Sequence, residues 1–129
     1  MEFTFGKEDR LCSRKDIETL ILKGHCSFVY PFKFYWKIVD IQNQPVKIAF
    51  AVPKKRFKHA NKRNLIKRRM REAFRMQKPF FSSELVKLNL KLQLLTVYVS
   101  NDIMNFNEID KKIKILLDNI KNDIQKPVM

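Results

Sequence analysis

Only two glycines, Gly6 and Gly24, occur in the 129 residues. Phosphate-cradling and dinucleotide-binding loops need several closely spaced glycines, so neither can be built here. Cysteine is equally sparse: Cys12 and Cys26, even with His25 beside the second, lack the spacing of a zinc site. Two thiols, and no secretory apolar stretch in MEFTFGKEDRLCSRKD, point to free cysteines and a cytoplasmic protein. No apolar run approaches the roughly 18 residues of a membrane span, so the chain is expected to be soluble and to need no membrane. Acids are outnumbered, 13 Asp and Glu against 27 Lys and Arg. They stand singly or in turns (Glu8 and Asp9, Asp16, Glu18, Asp40, Glu84, Asp102) rather than clustered as a two-metal nuclease needs. His25 and His59 are isolated from each other, which leaves no acid–base pair. No metal site and no catalytic residue is therefore assigned to the polypeptide.

What is present is a globular composition carrying an unusual charge. Hydrophobic residues make up 45% of the chain, and a chain of this length is one domain, residues 1–129, by the ordinary size prior. Folding at this size hides roughly 65–70% of the unfolded surface, enough for a core. The net charge of +14 implies a polyanionic partner, nucleic acid or an anionic membrane surface. Eleven Lys and Arg fall within residues 54–75 against one acid, Glu72. Charge concentrated in this way marks a site rather than a solubility device.

The order of elements reads α-β-β-α-β-α, with room for a further short strand near 27–30, which is a small α+β or split α/β sandwich. Residues 1–11 read as an extended arm. Ser13 to Asp16 resembles a capping box; Ile17, Leu20 and Ile21 then share a helical face, and Gly24 stops the helix. FKFYWKIV (32–39) alternates, placing Phe32, Phe34, Trp36 and Ile38 inward and Lys33, Tyr35 and Lys37 on an open face. DIQNQP (40–45) is a turn. VKIAFAVP (46–53) turns Ile48, Phe50 and Val52 inward and leaves Lys47, Ala49 and Ala51 outside, where small residues let a ligand backbone come close. The pattern is helical from about Asn61 to Gln77, and Pro79 is expected to end it. SSELVKLN supports one or two further helical turns. LQLLTVYV (92–99) reads as a strand buried on both faces. Ile109, Ile113, Leu116, Ile120 and Ile124 form the stripe of a last helix starting near Asn105.

Residues 61–77 repay a helical projection. Ile66, Met70, Ala73, Phe74 and Gln77 fall on one side; Asn64, Lys67, Arg68, Arg71 and Arg75 fall opposite. A disordered basic tail has no use for the apolar stripe. An ordinary solvated helix mixes charge signs, because like charges four apart repel. Here only Glu72 accompanies the arginines, and it is expected to pair with Arg68 or Arg75. The fan suits phosphate, and arginine suits it bidentately. The approach segment adds Lys54, Lys55, Arg56, Lys58, Lys62 and Arg63, with the positive helix end beside them.

KKRFKHANKRNLIKRRMREAFR (54–75) resembles the signature of the bacterial ribonuclease P protein family: Lys54-Lys55, Ala60, Arg63-Asn64, Lys67-Arg68 and Arg71 to Arg75 occupy its positions. RL…DI…LILKG (10–24), FKFYW (32–36) and IAFAVPKK (48–55) follow in the family's order. Two positions depart from it. Leu65 stands where the family carries arginine, and Ile17 and Ile21 stand where its first helix offers aromatics. The resemblance implies a two-layer α/β sandwich with a left-handed β-α-β crossover through the basic helix. It implies that this helix (Lys62, Arg63, Asn64, Lys67, Arg68, Arg71, Arg75) and its approach bind the ribonuclease P RNA. It further implies that Lys33, Tyr35, Lys37, Ala49, Ala51, Ile17 and Ile21 line a groove for the single-stranded 5′ leader of precursor tRNA. Cleavage then belongs to the RNA subunit with Mg²⁺; no cofactor and no obligate protein partner falls to the polypeptide. A non-catalytic RNA-binding module shares the basic helix, and a DNA-binding architectural protein is a weaker alternative, since the fan offers no base-reading pattern.

Overall fold

The computed structural model describes residues 5–125. A 3-10 turn, Lys7–Asp9, precedes helix α1 (Arg14–Lys23); then come β1 (His25–Val29), β2 (Phe32–Val39), β3 (Val46–Ala51), helix α2 (Ala60–Lys87), β4 (Lys91–Tyr98) and α3 (Phe106–Gln125). The strands form one sheet in the order β1-β2-β4-β3, antiparallel except for the parallel β3–β4 pair. The optional strand near 27–30 is real and is β1, an edge strand. The 40–45 turn joins strands that are not neighbours, because β4 lies between them. Gln42 fixes this turn by donating to the carbonyls of Gln44 and Leu92.

Alternation in each strand divides the sheet between two faces. Phe32, Phe34, Trp36, Val46, Ile48, Leu92, Leu94 and Tyr98 point into the main core, where they meet Ile66, Met70, Ala73 and Phe74 of α2 and Ile109, Ile113, Leu116 and Ile120 of α3. Burying so many large side chains, each contributing roughly 1.5–3 kcal/mol, fixes α2 and α3 against that face. Leu95 points the other way and packs with Leu11 and Leu20 of the arm and α1, so the middle of β4 is buried on both sides as its unbroken apolar run requires. Ile38 departs from the expected inward set and is 41% exposed. The β1 ladder ends at the His25–Trp36 pair, so Ile38 lies on an uncovered stretch of strand edge.

Pro79 does not end α2, which continues as one helix to Lys87. Proline withdraws an N–H from the ladder and crowds the preceding turn, but Phe81 and Leu85 beyond it are buried in the main core and hold the helix to its course. Ser13 caps α1 by accepting the Asp16 N–H. Gly24 ends α1 for a reason of space: an added Cβ would lie 2.4 Å from the Leu20 carbonyl oxygen and 3.1 Å from that of Trp36.

Residues 1–4 of the expected arm lie outside the described residues. The rest is not a free arm. Phe5 packs its ring against Phe50 and Phe74; Arg10 bridges to Ile48 beside β3; and the Asp9 carboxylate, only 7% exposed, meets Lys78 of α2 at 2.8 Å.

Candidate RNA-binding surface

Loop 52–59 carries the first cations into α2. Val52 and Phe57 are buried and anchor it at both ends, with Phe57 against Tyr98, so Lys54, Lys55 and Lys58 project into solvent. No acid occupies the first turn of α2 and its cap residue His59 supplies no side-chain bond, so nothing in its own first turn neutralises the positive helix end.

The eleven basic-surface residues divide by what they touch. Arg56 is half-buried and donates to the Asn101 side chain at 3.0 Å. Arg63 donates to the carbonyls of Phe57 and Lys58 at 2.7 and 2.8 Å, tying the approach loop to the helix. Arg75 forms a two-pronged pair with Glu72, at 2.9 and 2.6 Å; its hydrogen bonds hold the Glu72 carboxyl below the usual carboxylate range and the guanidinium above its own. Among the described residues, the side chains of Lys54, Lys55, Lys58, Lys62, Lys67, Arg68 and Arg71 have no such partner. Asn64, Leu65, Lys67, Arg68 and Arg71 line a shallow concavity with Asn61 on the outer side of α2. Lys67 and Arg71 also line a second hollow, shared with Phe5, Arg10, Leu11 and Ala49. Arg69, outside the assigned set, donates to the Met104 carbonyl and braces the loop before α3.

The sheet face away from the main core is organised as three rows set by strand register. Across its centre run Cys26, Tyr35, Leu95 and Ala49, partly covered by Leu20 and Ile17 of α1. At one end stand Lys37, Gln93 and Lys47; at the other, Phe28, Lys33, Val97 and Ala51. Lys33, Tyr35, Lys37, Ala49, Ala51 and Ile17 are thus brought together, and no carboxylate stands in any row. Ile21 does not join them closely: it is 47% exposed, while Leu20 takes the buried position on α1. The Lys33 ammonium lies 5.6 Å from the Tyr35 ring centre, and the Tyr35 hydroxyl holds its pKa above the ordinary 10.5.

Lys47 and Arg10 belong to these surfaces without having been assigned to them. Lys47 had a sequence signal, its outward place in the β3 alternation. Arg10 had none, because nothing local shows that the arm folds back beside Lys67 and Arg71. Both cysteines are free and exposed. No helix among the described residues is long and apolar enough to cross a membrane, and no three of their His, Cys, Asp or Glu side chains gather as a metal site.

A mixed sheet carrying two helices on one face, with a cationic helix and an acid-free sheet face exposed, defines a small basic α+β protein shaped for a polyanion. Comparison makes it particular. The family model described as Ribonuclease P matches residues 5–121. The ribonuclease P protein component of Porphyromonas gingivalis is 28% identical over 124 residues, covering 94% of this chain and 90% of its own. That of Chlorobium phaeobacteroides is 30% identical over 126 residues, covering 89% and 86%. Among solved structures, the RNase P protein of Staphylococcus aureus superposes with a TM-score of 0.71 at 22% identity over 88% of this chain and 95% of that one. The RNase P protein of Thermotoga maritima gives 0.70 at 19% identity over 85% and 96%. The chain belongs to the ribonuclease P protein family. Its function is that of the family: with an RNA subunit it forms the ribonucleoprotein endonuclease of tRNA 5′ processing.

Proposed function

We propose that the outer face of α2 and its approach loop dock on the ribonuclease P RNA, while the opposite sheet face receives the single-stranded leader of precursor tRNA. The observation that carries this reading is the division of the cations. Among the described residues, seven have no side-chain partner and face outward from one loop and one helix; the open sheet face adds Lys33, Lys37 and Lys47 around Tyr35. The first arrangement suits the phosphates of a folded RNA. The second suits a single strand, held by backbone charge and aromatic stacking. Bond cleavage and its Mg²⁺ belong to the RNA subunit in this reading; the polypeptide contributes binding and places the substrate. The site of action is the cytoplasm, and no obligate protein partner is required.

The test is cleavage of a leader-bearing precursor tRNA by a ribonuclease P RNA at low Mg²⁺. Adding the protein should restore cleavage that the RNA alone has lost, and the protein alone should cleave nothing. Equal cleavage with and without the protein would overturn the reading.

A further inference from the structure

Phe28 and Tyr30 are exposed aromatics on the β1–β2 hairpin, 56% and 50% accessible, with ring centres 6.3 Å apart and planes tilted by 59°. Nothing described so far uses them, and neither contributes to either buried cluster. Phe28 points to the acid-free side of the sheet, and Tyr30 stands beside it in the turn at the sheet's end. Phe28 stands directly across from Lys33 in the end row, and lies diagonally from Tyr35, a separation of roughly 7–8 Å in an antiparallel pair.

We propose that Phe28 and Tyr30 form a base-stacking subsite that extends the leader groove past Tyr35 to the edge of the sheet; this rests on the reading of that face as the leader site. Three features support a single-stranded RNA occupant. The platform is held in place before any ligand arrives: the Tyr30 hydroxyl donates at 2.9 Å to Ser100, which is 2% exposed and accepts in turn from the Asp102 N–H. A cation stands between the two aromatic positions, since Lys33 is opposite Phe28 and above the Tyr35 ring. A phosphate joining a base on Tyr35 to a base on Phe28 would meet that ammonium. Finally, none of the strand residues in the rows of this open face is acidic, which favours a polyanion over a basic protein surface. Ile17 and Ile21 leave α1 without a ring to offer, so the aromatic surface of this groove comes from the strands.

The experiment measures binding of precursor tRNAs with no leader, a short leader and a longer leader to the protein assembled with a ribonuclease P RNA. Wild-type protein should gain affinity as the leader lengthens; no gain at all would overturn the leader reading itself, and this subsite with it. Phe28→Ala should weaken binding of the longer leader by roughly tenfold, the loss of about one stacked base. It should leave the leaderless tRNA and the thermal midpoint unchanged. Phe28→Trp should bind as well as wild type, and Phe28→Leu, which keeps apolar bulk without a ring face, should resemble Phe28→Ala. Wild-type behaviour of Phe28→Ala on every RNA, or an equal loss on the leaderless one, would overturn the proposal. So would a sedimentation change from dimer to monomer in Phe28→Ala with leader affinity intact, because the patch would then serve a second copy of the chain.

Discussion

Glu72 and Arg75 show how one residue governs the charge offered to RNA. The carboxyl is held below its ordinary 4.5 by the bonds from Arg75. A depressed carboxyl contributes its stabilisation above the unfolded value and loses it as pH falls through the folded one, so the pair is intact at neutral pH. On the proposed RNA-binding surface Arg75 is therefore a paired cation. Glu72→Gln removes the negative charge that neutralises it, steepening the dependence of log affinity on log salt by about 0.7–0.9. An unchanged slope in a salt titration of RNA binding would show that Arg75 faces no phosphate. Leu65 is the opposite case, an apolar side chain in the concavity lined by Lys67, Arg68 and Arg71. Leu65→Arg should tighten RNA binding slightly and steepen the same slope by about one contact; unchanged affinity and slope would place position 65 away from RNA. Tyr98 bears on stability instead. It is buried, donates to the Asp102 carbonyl and accepts from the Met104 N–H. Tyr98→Phe leaves both backbone groups without that partner and should cost about 1–3 kcal/mol in denaturant unfolding.

At the scale of elements, α2 is where sequence and structure differ most. Its basic half was readable because an apolar stripe and a cationic fan repeat at helical spacing. Its second half was not, because Pro79 is a local signal while the buried contacts of Phe81 and Leu85 that override it are tertiary. Pro79→Ala restores an N–H to the helix interior and should raise the thermal midpoint by roughly 3–8 °C. A fall would mean that α2 depends on the local geometry proline imposes. The partners of Arg56, Arg63 and Arg75 divide in the same way. Glu72 lies one turn from Arg75 and could be anticipated, whereas Asn101, 45 positions from Arg56, could not. Gly24 was placed correctly as a helix stop, yet its cause, the closeness of Leu20 and Trp36, exists only in the folded chain. Gly24→Ala should therefore destabilise by about 1–3 kcal/mol through overpacking.

The whole molecule presents two surfaces of one charge sign, the outer side of α2 and the open sheet face, which adjoin at β3 where Lys67 and Arg71 share a hollow with Ala49. Alternation in β2 and β3 was enough to separate core from open face, and with it most of the residues that share that face. The sheet order was not readable, because inserting β4 between β2 and β3 depends on long-range pairing. The Asp9–Lys78 clasp and the return of Arg10 to α2 were hidden for the same reason. With about seven unpaired cations available to the RNA subunit, the log–log salt slope of that binding should be roughly −5 to −6. A slope of about −7 to −9 would mean that Arg56, Arg63 and Arg75 give up their internal partners on docking. The most direct measurement is the affinity of the assembled ribonucleoprotein for one precursor tRNA with and without its leader. Tighter binding of the leader-bearing form, lost when the protein is omitted, is the expected result. Equal affinity for the two forms in the presence of the protein would contradict it.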